Sequence, residues 1–316
     1  MKKNKVIIIS GPTATGKTDL SLELAKQFNG EVVNFDSLLF YKELNIGTAK
    51  PTDAELAQVK HHMVNTHSIK DAINAAEFAR LATPIIIDCH QREKVVILSG
   101  GSGFYLQALT EGMYDSITTP TEVTERSNTL YAEEGIDPFI AILKQIDTPS
   151  FERYHENDHY RIRRAVEHFW TTKTPFSDAR KQMPEKKQKS PTVINNWDIL
   201  HIHLDIPKEE HYNYILSRTH RMVANGLVEE VKSLLESISS GLEKPIQSIG
   251  YKETIDYIND KFESIEDYKE RLSINTRRLA KSQRTWFKKL DKFCYNPLLE
   301  KNKIVEKCEK FLRDNT

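Results

Sequence analysis

Residues 11–18 constrain the fold of this chain more strongly than any other part of the sequence. They read Gly-Pro-Thr-Ala-Thr-Gly-Lys-Thr, which fits the pattern G-x-x-x-x-G-K-[ST] of a phosphate-binding loop. The apolar run 6–10 before them predicts a buried parallel strand, and residues 18–28 carry the apolar spacing of a helix. A strand, this loop and a helix in that order predict an α/β fold, with helices around a parallel sheet.

Such a loop recognises a diphosphate or a triphosphate. Its glycines allow backbone N–H groups to surround phosphate oxygens, and the start of the following helix adds the positive end of its dipole. Lys17 supplies a positive charge, and the hydroxyl of Thr18 is placed to hold Mg²⁺. The predicted diphosphate-binding residues are Gly11, Pro12, Thr13, Ala14, Thr15, Gly16, Lys17 and Thr18. Kinases and nucleotide hydrolases share such loops, so the motif does not by itself define the reaction.

The rest of the chain extends the fold to a P-loop NTPase-like parallel sheet flanked by helices, with a helical insertion domain. Further strands are predicted at 31–35, 95–99 and 199–204. Between the last two, the chain is polar and predicts helices at 121–134, 137–147 and 158–172 and a loop at 181–190. The expected division is a catalytic core at 1–117 and 194–296, a helical insertion at 118–193 and a charged C-terminal tail at 297–316.

Composition excludes several classes of protein. Lys plus Arg equals Asp plus Glu at 45 each, so the net charge does not indicate a polyanionic partner, and any basic surface must be local. The three cysteines are scattered, which disfavours a disulfide framework and a cysteine zinc site. The first apolar run is too short for a signal peptide or a membrane span, so no membrane association and a cytoplasmic location are expected.

Six stretches, which follow one another along nearly the whole chain, together resemble the tRNA dimethylallyltransferases, also called tRNA isopentenyltransferases. The most specific is the block that begins Asp-Ser-Leu-Leu-Phe-Tyr-Lys and ends Gly-Thr-Ala-Lys-Pro, because it is much rarer than a phosphate-binding loop. The other five include the loop itself and a stretch that runs from Thr-Arg-Arg-Leu-Ala-Lys to Trp-Phe near the C-terminus. In order, the stretches are 11–18, 36–51, 100–105, 157–167, 249–253 and 276–287.

The resemblance implies transfer of a dimethylallyl group from dimethylallyl diphosphate to N6 of the adenosine just 3′ of the anticodon of tRNA. That amine is a poor nucleophile, and the resemblance assigns Asp36 as the carboxylate that takes its proton. Thr13 and Arg218, with Mg²⁺ at Thr18, are implied to stabilise the leaving diphosphate. Proteins with a phosphate-binding loop often carry a metal-binding acid after a second apolar strand, and Asp88, which follows three isoleucines, is a candidate. The resemblance instead implies a helix at this point.

A basic helix near the C-terminus is the predicted tRNA-binding surface. Residues 277–292 contain seven basic residues and one acid. Four of the basic residues lie on one helical face: Arg277, Lys281, Arg284 and Lys288. The apolar residues at core spacing are Leu272, Leu279, Trp286 and Leu290. A solvated charged face explains the composition about as well, and the resemblance favours tRNA binding.

The resemblance carries further tRNA contacts over to this chain, with the anticodon stem–loop as the bound part and a monomer as the expected state. Ser102 stands where the family usually has threonine, and near Thr124 the family tends to have an arginine, the nearest here being Arg126. The predicted tRNA-binding residues are Asp36, Ser37, Leu38, Leu39, Ser102, Thr124, Tyr160, Arg161, Ile162, Arg163, Arg164, Ile246, Gln247, Ser248, Ile249, Gly250, Tyr251, Arg277, Arg278, Lys281 and Arg284.

Three other functions remain open on sequence alone. An adenylate isopentenyltransferase would act on free nucleotides, but would need neither the helical insertion nor the basic helix. A small-molecule kinase would use the same phosphate loop, and a non-catalytic tRNA-binding protein would leave both Asp36 and that loop without a role. The histidines His61, His62 and His67 lack the spacing of a closed metal site, and His201 and His203 alternate on one strand face, so structural roles are predicted for all five.

Overall fold

The computed structural model describes residues 4–112, 119–182, 190–238 and 244–314. The chain separates into two compact units. The larger unit combines Met1–Leu109 with Asn195–Thr316, and the smaller one is Thr110–Ile194. Most of the loop predicted at 181–190 lies outside the described residues. Within the described residues, no helix combines the length and the apolar character needed to cross a membrane.

A parallel sheet forms the centre of the larger unit. In the described residues its strand order is β3-β2-β4-β1-β5-β6, and every neighbouring pair is parallel. The strands are β1 Asn4–Ser10, β2 Gly30–Asn34, β3 His61–His62, β4 Val95–Gly100, β5 Trp197–Leu204 and β6 Phe293–Tyr295. The α/β fold and the four strands expected from sequence are thus confirmed, with end points that differ by one or two residues.

Helices pack around this sheet, as expected for βαβ connections. Those before the insertion are α1 Lys17–Gln27, α2 Asp53–Leu56, α3 Ala75–Gln91 and α4 Gly103–Glu111. Those after it are α11 Lys208–Ala224, α12 Leu227–Ser237, α13 Tyr251–Ile258, α14 Ile265–Phe287 and α15 Lys301–Arg313, with a 3₁₀ turn at Lys244–Gln247. The carboxyl ends of β1, β2, β4 and β5 meet at one edge of the sheet, which is where parallel sheets bind ligands.

Helix α3 contains Asp88, the alternative candidate for a metal-binding acid. Pro84 also lies inside it. The expectation of a helix at this point is therefore confirmed. Asp88 pairs with Arg92 one turn later, at 2.8 Å, so its carboxylate has a structural partner on the helix surface.

The segment expected to be a charged tail is instead part of the core. Helix α15 buries Ile304 and Cys308 completely, and both pack in the cluster that includes Ile7 and Ile202 of the central strands. The two buried residues lie four positions apart and so face the same side of the helix. The charged residues between them occupy the outer face, which is why the composition predicted a tail.

The smaller unit is helical. Its helices are α5 Thr121–Glu134, α6 Asp137–Ile146, α7 Thr148–Arg153, α8 His159–Thr172, α9 Phe176–Lys181 and α10 Pro191–Ile194. The three longest coincide with the helices predicted from sequence. The unit has a core of its own, formed by Phe139, Leu143, Ile162, Ala165 and Val166.

Candidate active site

The phosphate-binding loop joins β1 to α1 in a tightly curled conformation. Ala14 and Gly16 have left-handed backbone angles, with φ of 62° and 79°, and α1 begins at the next residue, Lys17. The Thr15 hydroxyl and the Lys17 ammonium both donate to the carbonyl of Pro12, at 2.8 and 2.7 Å. These hydrogen bonds hold the loop curled around the N-terminus of α1, where the helix dipole favours an anion.

A cavity of about 1100 Å³ lies in front of this loop. Six of the eight predicted diphosphate-binding residues line it, namely 13–18, while Gly11 and Pro12 are buried. Asp36 and Arg218, the other predicted catalytic residues, line the same cavity. The fold thus collects side chains from four distant parts of the sequence, since Lys50 also lines it.

Two partly buried cations, Lys17 and Arg218, lie near the Asp36 carboxylate at this cavity. Burial lowers the pKa of Lys17 to about 8, and the neighbouring Asp36 opposes part of that shift while Arg218 adds to it. Burial also lowers the pKa of Arg218, and Asp36 again opposes the change. Arg218 donates to the carbonyl of Thr48 at 3.0 Å, which fixes its guanidinium at the cavity wall. Partly buried positive groups of this kind favour a strongly anionic ligand such as a diphosphate.

Asp36 follows β2 directly and is held by its neighbours. The side chain of Asn34 accepts from the amide of Asp36 at 2.8 Å and donates to its carbonyl at 3.1 Å. The amide of Leu38 donates to the Asp36 carboxylate at 3.2 Å. The hydroxyl of Ser102 accepts from the amide of Ser37 at 3.0 Å, so the serine that replaces threonine supports the same turn. Leu39 lines the cavity.

Lys50 secures the segment between Asp36 and the third strand. Its ammonium donates to the carbonyl of Tyr41 at 2.7 Å and to the side chains of Asn45 and Asn65 at 2.9 and 2.5 Å. Burial lowers the pKa of Lys50 to about 8. Neither Lys50 nor Asn34 was among the predicted site residues, although Lys50 lies inside the most specific sequence block and Asn34 lies two residues before Asp36.

The predicted contacts at 246–251 require a correction. Ile246 and Tyr251 are 1% and 0% exposed and belong to the core of the larger unit, so their side chains are not available to RNA. The Tyr251 hydroxyl donates to Glu230 at 2.7 Å. Gly250 is buried and its amide donates to Glu253. Of this stretch, Gln247 is exposed, and Ser248 and Ile249 are half-buried.

The basic helix α14 has fewer surface cations than its spacing predicted. Arg277, Arg278 and Lys281 are exposed, as expected for RNA contacts. Arg284 is only 17% exposed and pairs with Asp205 at 2.7 Å, so its charge already has a partner within the protein, and its contact with tRNA stays a prediction. The predicted core set also changes, because Leu272 is buried but Leu279 is 37% exposed.

The predicted tRNA-binding residues of the smaller unit differ in their exposure to solvent. Tyr160, Arg161 and Thr124 are exposed. Ile162 is 3% exposed and packs in the core, which excludes its side chain as an RNA contact.

The arginines of this unit also have partners within it. Arg163 lies over the ring of Tyr131 at 4.5 Å, and Arg164 pairs with Glu167 at 2.8 Å. Arg126 stacks on Trp170 at 4.1 Å, so the arginine nearest to Thr124 is also engaged.

The histidines have structural partners. His201 and His203 both bond to the Ser10 hydroxyl, at 2.7 and 2.9 Å, and burial lowers their pKa values to about 3 and about 4. Both rings also pack on Phe287.

His62 lies in a cluster with Glu31 and Cys89 whose ligand atoms are close enough to hold a metal ion. However, Arg92 binds both oxygens of Glu31, at 2.5 and 2.8 Å, and burial raises the pKa of the Cys89 thiol to about 12. A guanidinium on the carboxylate and a thiol that keeps its proton both oppose cation binding, so the cluster is an ion-pair network.

Comparisons with known proteins identify the family to which this sequence is similar. A family model described as IPP transferase matches residues 39–290. A tRNA dimethylallyltransferase of Staphylococcus aureus (strain MRSA252) is 37% identical over 294 residues, which cover 91% of this chain and 91% of that protein. Neither match favours a small-molecule kinase or an adenylate isopentenyltransferase.

Solved structures extend the similarity to the whole fold. A tRNA isopentenylpyrophosphate transferase of Bacillus halodurans is 29% identical, with a TM-score of 0.69 over 98% of this chain and 96% of that one. A eukaryotic dimethylallyltransferase that acts on tRNA is 27% identical, with a TM-score of 0.80 over 99% of this chain and 80% of that one. The match of sequence and fold leads to one conclusion: this chain belongs to the IPP transferase family.

Proposed function

We propose that this chain transfers a dimethylallyl group from dimethylallyl diphosphate to N6 of the adenosine that follows the anticodon of tRNA. One observation carries the proposal: a carboxylate and a diphosphate-binding loop face the same cavity. Asp36 stands after the end of β2, near the partly buried cations Lys17 and Arg218. A proton acceptor next to an anion site is what alkyl transfer to a weak amine nucleophile needs.

Asp36 acts as the general base. The N6 lone pair is delocalised into the adenine ring, so the amine attacks the allylic carbon only as its proton leaves. The Asp36 carboxylate accepts that proton as the C–N bond forms. Asn34 and the Leu38 amide hold the carboxylate in place, which reduces the reorganisation needed on the way to the transition state.

The loop and the cations act on the leaving group. When the allylic C–O bond breaks, both of its electrons leave with the diphosphate, whose negative charge rises. Lys17, Arg218 and the backbone N–H groups of the loop stabilise that charge, with Thr13 on the cavity wall. Their effect is greater because both cations are partly buried, where electrostatic attraction is less screened than in water.

Mg²⁺ fits this site as a partner of the diphosphate. The Thr18 hydroxyl lies in the first turn of α1 and lines the cavity, in the position from which phosphate-binding loops hold this ion. Mg²⁺ generally keeps several waters and binds through substrate phosphates with few protein ligands, so a single hydroxyl is sufficient. When bound, the ion supplies positive charge to the diphosphate oxygens.

The RNA partner is the anticodon stem–loop. Arg277, Arg278 and Lys281 form an exposed basic face on α14 that suits a phosphate backbone. The target adenine must leave its stack to reach Asp36, at a cost that binding of the stem–loop offsets. A single chain supplies all the cavity groups named above, which supports action as a monomer, and a tRNA substrate supports a cytoplasmic location.

Replacement of Asp36 tests the proposal. The Asp36→Asn protein should bind an anticodon stem–loop normally but lose transfer of the dimethylallyl group by about 10²-fold or more. Asp88→Asn is the matched control, because that carboxylate lies on the surface of α3 and should leave turnover unchanged. Undiminished turnover in Asp36→Asn would remove Asp36 from the mechanism. Phosphoryl transfer from ATP by the unmodified chain, without need of dimethylallyl diphosphate, would identify a kinase instead.

A further inference from the structure

The backbone of Thr13, at the centre of the phosphate-binding loop, is held by side chains from two helices. The first is Gln283 on α14. Its Oε1 accepts from the Thr13 amide at 2.8 Å, and its Nε2 donates to the carbonyl of Gly101 at 3.1 Å. Only this orientation of the side-chain amide satisfies both groups. Gly101 has no side chain to obstruct the contact, and a Cβ there would lie 2.5 Å from Gln283 Nε2.

The second is His211 on α11, which is 1% exposed. Arg284 lies 2.7 Å from its Nδ1, and an arginine can only donate, so Nδ1 accepts and the proton is on Nε2. Nε2 therefore donates to the Thr13 carbonyl, at 2.7 Å. Burial lowers the pKa of His211. The hydrogen bond to Thr13 and the charge of Asp205 oppose this shift, while Arg284 and Lys17 add to it. The neutral ring required by this geometry is thus the favoured form.

Arg284 is fixed in turn at the end of β5. Its Nε donates to the carboxylate of Asp205 at 2.7 Å, and its Nη2 donates to the carbonyl of Ile206 at 3.1 Å. A continuous series of hydrogen bonds runs from the sheet edge through Arg284 and His211 to the loop. These hydrogen bonds explain why Arg284 is only partly exposed although it was predicted on the basic face.

Helix α14 therefore has two faces with different tasks. Arg277, Arg278 and Lys281 are exposed on it, while Gln283 and Arg284, within the next turn, reach the loop directly or through His211. We propose that Gln283, His211 and Arg284 are positioning residues that hold the phosphate-binding loop in its diphosphate-binding shape from the helix that receives the RNA. This inference rests on the proposed function and adds a physical connection between its two substrate sites.

Without Gln283, two main-chain groups of the site lose their partner, and the loop can relax away from the shape that fits a diphosphate. The Gln283→Ala protein should therefore show a KM for dimethylallyl diphosphate, at saturating stem–loop, that is raised about 10-fold or more. Its Kd for the stem–loop should stay near the original value. Lys281→Ala is the matched control on the same helix, because it should weaken stem–loop binding and leave that KM unchanged.

His211 provides a test by conservative replacement. His211→Gln retains an N–H donor for the Thr13 carbonyl, whereas His211→Leu of similar size does not. The leucine variant should raise the KM for dimethylallyl diphosphate, and the glutamine variant should recover most of the loss. Melting temperatures of both proteins report whether the fold is retained. If His211 had only a structural role, restoring the N–H donor in the glutamine variant would not restore the KM.

The outcomes separate this inference from the proposed function. An unchanged KM in Gln283→Ala and His211→Leu, or an equal loss of affinity for both substrates, would overturn the positioning role. If the unmodified chain transferred no dimethylallyl group, the proposed function would fail instead. Calorimetric titration with inorganic pyrophosphate and Mg²⁺ would then still test the loop, and Gln283→Ala should bind pyrophosphate more weakly than the original chain.

Discussion

Asn34 holds Asp36 by a two-way contact, since its side chain accepts from the Asp36 amide at 2.8 Å and donates to the Asp36 carbonyl at 3.1 Å. The same amide group donates to the carbonyl of Met63 at 2.9 Å, and Asn34 is only 3% exposed. The residue thus fixes the backbone from which the proposed base projects, from a buried position on the cavity wall.

Replacement of Asn34 should therefore affect the chemical step more than RNA binding. In Asn34→Ala the turn that carries Asp36 loses two hydrogen bonds and its link to Met63, and kcat should fall about 10- to 100-fold because the carboxylate is less well placed. Single-turnover transfer to a stem–loop measures this step, and a filter-binding assay measures the RNA. An unchanged single-turnover rate would show that Asp36 is positioned by other groups.

Lys17 should impose a pH dependence on the use of the diphosphate substrate. Burial lowers the pKa of Lys17 to about 8, and only the charged form attracts a diphosphate. The charged fraction in the free enzyme falls as pH rises through 8, so kcat/KM for dimethylallyl diphosphate should fall about 10-fold between pH 7 and pH 9.

Lys17→Arg separates this effect from other titrations. Arginine remains charged over the whole range, so the alkaline decline should disappear in this variant even if its activity is lower at every pH. If the alkaline decline persisted in this variant, another group would be its cause. Lys50 is the first candidate, since burial lowers the pKa of that ammonium to about 8 as well.

Salt dependence should distinguish the two kinds of cation on α14. Lys281 is exposed, and its replacement by alanine should flatten the dependence of log Kd on log salt for a stem–loop by about one unit. Arg284→Gln is the comparison, because the charge at 284 is already paired with Asp205 and its removal should leave the slope unchanged. Equal slopes in Lys281→Ala and the original chain would show that Lys281 is a solvated surface charge that does not contact the RNA.

The C-terminal helix should contribute to stability although its composition is that of a tail. Ile304 is 0% exposed in α15, and Ile304→Ala should lower the free energy of unfolding by about 2–5 kcal/mol. Leu299 is 83% exposed, so Leu299→Ala should change the same quantity by less than about 0.5 kcal/mol. Denaturant unfolding of both proteins measures the difference, and equal stabilities would contradict the packing of α15 on the sheet.

Much of the site could be predicted from sequence because its elements are local. A strand, a glycine-containing loop and a lysine in consecutive positions define the phosphate site, and the β-branched runs define the central strands. Asp36 and Arg218 were identified by resemblance, and the structure brings both to the cavity in front of the loop. Helical spacing likewise located α14, since its basic residues recur with the period of one turn.

The sequence by itself determined the phosphate-binding loop, the strand and the helix on either side of it, and the presence of a basic helix. Only the tertiary structure decided what each side of that helix does. Lys281 and Arg284 are equivalent by spacing, but Asp205 lies beside Arg284 only after β5 and α14 have packed. The same holds for Ile304, Ile246 and Tyr251, whose burial depends on distant partners. Local pattern specifies which residues can share a face, while packing specifies which face meets the core, the loop or the solvent.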